Sequence, residues 1–177
     1  LLKDKEVNTL NFGPPDSASV RLGDDSLAKI DLAGYSTSGN TAIVYAALQN
    51  NYQAISNTAI GCYSLNCNVH GYDNVGAGYS SLAGNTTGYG NVGFGSYTLT
   101  NNKLGDFNIA IGHGAGYYAD KNTNNKLYIG SHNVDASYIC SNPHGSGLVP
   151  LVYGDMENNV LGINTRTLHS HGVLQTS

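Results

Sequence analysis

The chain has 177 residues, 40% of them hydrophobic and only 11% charged, with a formal net charge of −4. That balance gives it no electrostatic reason to seek nucleic acid or an anionic membrane, and no apolar run reaches the length of a signal peptide or a membrane-spanning helix. With 23 Gly, 13 Tyr and no Trp, the surface is uncharged without being greasy.

Residues 1–39 carry half of all the charges and hold short β-like runs, Val20-Arg21-Leu22-Gly23 and Lys29-Ile30-Asp31-Leu32, between Gly, Pro and Asp turns. They read as an N-terminal lead-in of short strands. The chain opens on Leu1-Leu2 rather than Met, as a piece of a longer product would.

From Asn40 the chain repeats. Copies begin at Asn40, Asn57, Asn74, Asn91 and Asn108, each 17 residues after the last: NTAIVYAAL, NTAIGCYSL, NVGAGYSSL, NVGFGSYTL and NIAIGHGAG. A period this short is one coil of a solenoid, in which each repeat buries its apolar side only against its neighbours. Within a copy, counted from its Asn, residues two and four (Thr58/Ile60, Val75/Ala77, Val92/Phe94, Ile109/Ile111) share one face of a strand, apolar and mostly bulky. The residue between them is always Ala or Gly, so the opposite face lies against another backbone or sheet. Gly61, Gly78, Gly95 and Gly112 at position five mark a bend costly for other residues, and Leu48, Leu65, Leu82 and Leu99 supply a second buried rung. Stacked coils would align Asn40 through Asn108 as a side-chain amide ladder. Between Asn40 and Phe107 only Asp73, Lys103 and Asp106 are charged and Pro is absent, which suits continuous backbone pairing. The predicted β-roll spans 40–123, its fifth copy losing register after Gly116.

Residues 124–177 become separate strands, Leu127-Tyr128-Ile129, Leu151-Val152-Tyr153 and Val160-Leu161-Gly162-Ile163, the last two joined by the turn-rich 154–159 stretch. This reads as a C-terminal β cap or connector. Cys62, Cys67 and Cys140 make neither a disulfide framework nor a zinc-ligand spacing and read as free thiols.

Five NTAIG-like units in register resemble the NxAIGxxS repeat of YadA-like trimeric autotransporter adhesin heads, a left-handed parallel β-roll that is also widespread in phage and viral tail fibres. The resemblance covers roughly residues 40–116, with Val44 standing where Gly is expected. The C-terminal run Lys126-Leu127-Tyr128-Ile129-Gly130, Pro150-Leu151-Val152-Tyr153-Gly154-Asp155 and Asn159-Val160-Leu161-Gly162-Ile163-Asn164 is similar to the segment before the intramolecular chaperone of such fibres. The resemblance implies an all-β parallel solenoid in a homotrimeric fibre, located on a virion tail and attaching to a host-surface glycan or protein beside other tail proteins. The head of a bacterial surface adhesin is the alternative. Independently, one narrow apolar rung per coil is little core for a free-standing solenoid, and three chains together would bury more.

Candidate chemistry is sparse. His169-Ser170-His171 places two imidazoles on one side of any strand, and on a threefold axis three such pairs would offer six nitrogens to an octahedral iron or nickel; the competing reading is a solvated tail. Tyr52, Tyr72, Tyr89 and Asn85 fall in or beside the turn regions, where Tyr among Asn, Ser and Gly suits receptor binding. Strand tyrosines such as Tyr45, Tyr63, Tyr79 and Tyr97 read instead as stacked rungs. A fibre-borne polysaccharide depolymerase is the third class. Glycoside hydrolysis generally wants two carboxylates close across a cleft, and Asp73 and Asp106 have no such partner in sequence. Catalysis is therefore not expected.

Overall fold

In a computed structural model the described residues are 11–12, 19–27, 38–131 and 151–163. Their strands form one ten-stranded sheet in chain order: β1 (Asn11–Phe12), β2 (Val20–Leu22), β3 (Thr41–Ile43), β4 (Thr58–Ile60), β5 (Val75–Ala77), β6 (Val92–Phe94), β7 (Ile109–Ile111), β8 (Lys126–Ile129), β9 (Val152–Asp155) and β10 (Val160–Ile163). No helix occurs among the described residues. From β2 to β8 every neighbour is parallel and in register, whereas β1, β9 and β10 pair antiparallel at the two ends. The architecture is the all-β parallel solenoid expected.

The sheet makes no break at residue 40. Ser19 through Leu27 (SVRLGDDSL) occupies the same coil positions as Asn57 through Leu65 (NTAIGCYSL), with Val20 opposite Thr41 and Leu22 opposite Ile43. Ser19 even takes the ladder position, its hydroxyl accepting from the Asn40 N–H at 3.1 Å. A 21-residue step from Ser19 to Asn40 hides this coil from a search at period 17. Likewise β8 is a further rung rather than a separate cap, reached after an 18-residue step from Asn108 to Lys126. The 29–32 run, Cys140, His169 and His171 lie outside the described residues.

Two asparagine columns hold the coils together. Asn57, Asn74, Asn91 and Asn108 each donate a backbone N–H to the side-chain oxygen of the Asn one coil earlier, at 2.9–3.0 Å. Each amide nitrogen from Asn40 to Asn91 donates to the carbonyl fourteen residues ahead, on Ala54, Gly71, Gly88 and Gly105, at 2.8 Å. The second column, Asn51, Asn68, Asn85 and Asn102, donates to those same four carbonyls at 2.9–3.0 Å. All nine side chains are fully buried, and nearly every buried polar group in a protein is bonded; the Oδ1 atoms of Asn85 and Asn102 are the exceptions within these columns.

The core lies on the Ala/Gly side of the strands. Ala42, Ala59 and Ala110 are fully enclosed with Leu48, Leu65, Leu82 and Leu99 in one cluster. These leucines sit in the left-handed region, at φ of 46–53°, a conformation an L-residue adopts only where the surroundings enforce it. At position five, Gly61, Gly78 and Gly95 have φ of 131–134°. A Cβ there would lie 2.5, 2.6 and 2.8 Å from the backbone of the next coil, which makes Gly a packing requirement as well as a dihedral one.

Candidate functional site

The bulky side chains at positions two and four do not form the buried rung that the alternation suggested. They point away from the core. Register places Leu22, Ile43, Ile60, Ala77, Phe94, Ile111, Ile129, Val152 and Ile163 in one file across the sheet. A second file beside it runs from Val20 through Thr41, Thr58, Val75, Val92 and Ile109 to Leu127. Ile60 is 43% exposed, Phe94 63%, Ile111 43% and Ile163 55%. The physical reason is volume: a coil this small closes over Ala or Gly and one Leu, leaving no interior space for a second large side chain.

Aromatic columns flank these files. Tyr45, Tyr63, Tyr79, Tyr97 and His113 alternate between coil positions six and seven, and successive rings meet edge to face with centroids 5.2–6.1 Å apart. The zigzag avoids face-to-face sandwiches at the strand repeat, which the ring quadrupole disfavours. On the other flank Tyr72 stacks flat on Tyr89 at 4.7 Å and Tyr89 meets Phe107 edge-on at 4.8 Å.

The turn residues singled out for binding separate in the structure. Tyr52 and Tyr72 are exposed, and Tyr89 is half-buried between its ring neighbours. Asn85 is wholly enclosed, its amide held by Asn68 Oδ1 at 2.9 Å and the Gly88 carbonyl at 2.9 Å, so it shapes the loop and presents nothing to a ligand. The signal for that role was the 17-residue recurrence of Asn51, Asn68, Asn85 and Asn102. Cys62 and Cys67 are free thiols. Among the described residues no three His, Cys, Asp or Glu side chains are placed to hold a metal ion.

A second region stands out where the repeat fails. In the fifth coil Gly116 replaces the core Leu and Ala119 replaces the second-column Asn, while in the next rung Lys126 replaces the ladder Asn and Tyr128 the inner Ala. The Tyr128 ring fills the space left over Gly116, where a Cβ would lie 2.8 Å from Leu99 Cδ2 and 3.1 Å from Tyr128 Cδ2. Tyr128 pairs with Tyr153 across β8 and β9, ring centroids 5.6 Å apart, and burial followed by Tyr153 raises its phenol well above the usual tyrosine range. Lys126 Nζ lies 2.8 Å from Asp155 Oδ1. The hydrogen bonds from Lys126 and Asn158 lower the Asp155 carboxyl from 3.8 to about 2. Beyond these residues opens a cleft of about 400 Å³, lined also by Tyr117, Tyr118 and Asp120.

Comparison with protein-family models, curated proteins and solved structures finds no match to this chain.

Proposed function

We propose that this chain is a segment of a homotrimeric tail fibre of a phage or virus, of the YadA-like β-roll type, which carries a distal tip and attaches to the host surface. The observation that carries the reading is the uncovered apolar face, whose files cross the sheet from Leu22 to Ile163. A single solenoid leaves that face in water. Contiguous apolar surface of this kind is rare on monomers and marks an interface, and a straight stripe parallel to the coil axis suits identical neighbours set about a common axis. Phe94 is the bulkiest exposed side chain on the stripe and its expected energetic centre. The few charges of the coil region and its Asn-rich turns, with Tyr52 at the surface, suit a rigid scaffold that presents loops.

Labelled, assembled protein applied to a panel of bacterial cells and immobilised glycans tests the attachment role. Saturable adsorption to at least one surface is expected. Absence of adsorption to every surface by intact assemblies would reduce the segment to a spacer.

A further inference from the structure

From the shape and chemistry of the cleft at the C-terminal end of the roll, we infer that it binds a neutral saccharide, seated between the Tyr117–Tyr118 and Tyr128–Tyr153 pairs. The inference deepens the attachment reading by naming a site and a ligand class, and rests on that reading only for the biological source of the sugar.

The cleft exists because four positions that close the coils beginning at Asn40, Asn57, Asn74 and Asn91 are changed here together: Leu to Gly116, Asn to Ala119, Asn to Lys126 and Ala or Gly to Tyr128. Closing the end of a core requires only apolar bulk. This end instead carries four phenols with an acid and a base on its wall, in a volume of about 400 Å³ that falls within the range of small-molecule sites. The rings are set as two pairs, Tyr117–Tyr118 at 5.0 Å and 75°, and Tyr128–Tyr153 at 5.6 Å and 59°, so tilted ring faces are offered, with the Tyr118 hydroxyl enclosed rather than presented to the cleft. A pyranose ring has the complementary surface, with C–H faces that stack on aromatic rings and equatorial hydroxyls that bond to Asp120, Lys126 and the Tyr117 phenol.

Charge selects against anionic ligands. Lys126 is held by Asp155 and Asp120 is exposed beside them, so the wall carries no surplus positive charge for a phosphate or a carboxylate. The site also remains open when the apolar face is covered. Side chains alternate along β8, and Leu127 and Ile129 belong to the outer files, which puts Lys126 and Tyr128 with Tyr153 and Asp155 on the opposite face.

Saturation-transfer NMR on the assembled protein, with methyl glucoside, methyl galactoside and N-acetylglucosamine as probes and tetramethylammonium as the rival cation, tests this. Transfer to the ring protons of at least one sugar is expected. Asp120→Ala, an exposed substitution that leaves the core intact, and Tyr117→Ala should each weaken it roughly tenfold or more, while Asp24→Ala, exposed in the coil at the other end of the roll, leaves it unchanged. No transfer to any sugar by a folded assembly, transfer to the cation alone, or sugar binding indifferent to Asp120→Ala and Tyr117→Ala would overturn the inference. Each of those results would leave the fibre reading standing, since assembly and cell adsorption are measured separately.

Discussion

Asn74 shows how one side chain sets the spacing between coils. Its oxygen accepts the Asn91 N–H at 2.9 Å and its nitrogen donates to Gly88 at 2.8 Å, so Asn74→Ala leaves a buried donor without a partner. A loss of about 2–3 kcal/mol is expected in thermal or denaturant unfolding, against a few tenths for the half-exposed Thr58→Ala. Val44 is the opposite case. It occupies the bend position that Gly61, Gly78 and Gly95 fill, at φ 84°, where a β-branched residue is an outlier. Val44→Gly should therefore raise stability by about 1 kcal/mol, whereas Gly78→Ala, whose Cβ would lie 2.6 Å from the Gly95 backbone, should lower it by more than about 2 kcal/mol. A melting temperature that fell for Val44→Gly would show that the Gly pattern has another cause.

Among the elements, the hairpin of β9 and β10 is tied to the roll by β8 pairing and by Lys126–Asp155. The Asp155 carboxyl is lowered from 3.8 to about 2, so the folded form favours its charged state; the stabilisation is present above pH 4 and is lost as pH falls through 2. Amide protection of Gly154 and Asp155, taken relative to the intrinsic exchange rate at each pH, should fall across that window, and Asp155→Asn should remove that loss of protection. The coils from Asn40 to Asn108 were legible because period and alternation agree there. The neighbouring coil at Ser19–Leu27 and the rung at Lys126–Ile129 were not, since turns of different length shift the period while strand register stays fixed by backbone bonding. Alternation also grouped Thr58 with Ile60 correctly but could not say which face was inside. Coil size decided that, because only Ala59 or Gly76 fits next to Leu65. The end cleft was illegible for a related reason: Gly116 and Ala119 look like decay of the repeat until Tyr128 and Tyr153 are seen folded over them.

In the whole molecule, the file from Leu22 to Ile163 is the surface that must be covered. Small interior residues leave room for one Leu per coil and turn the large apolar side chains at strand positions two and four to one outer face, so the same sequence feature that closes the solenoid also leaves it uncovered. Placing a carboxylate at the centre of that face, as in Phe94→Asp, would leave the amide ladders and the Leu column untouched while opposing any association through it. The most direct measurement is the mass in solution, by light scattering, of the natural chain and of Phe94→Asp. The account predicts three times the 18.6 kDa chain mass for the first and dissociation or a large loss of assembly for the second. A natural chain that is folded and monomeric, or a Phe94→Asp assembly as large and as stable as the original, would contradict it.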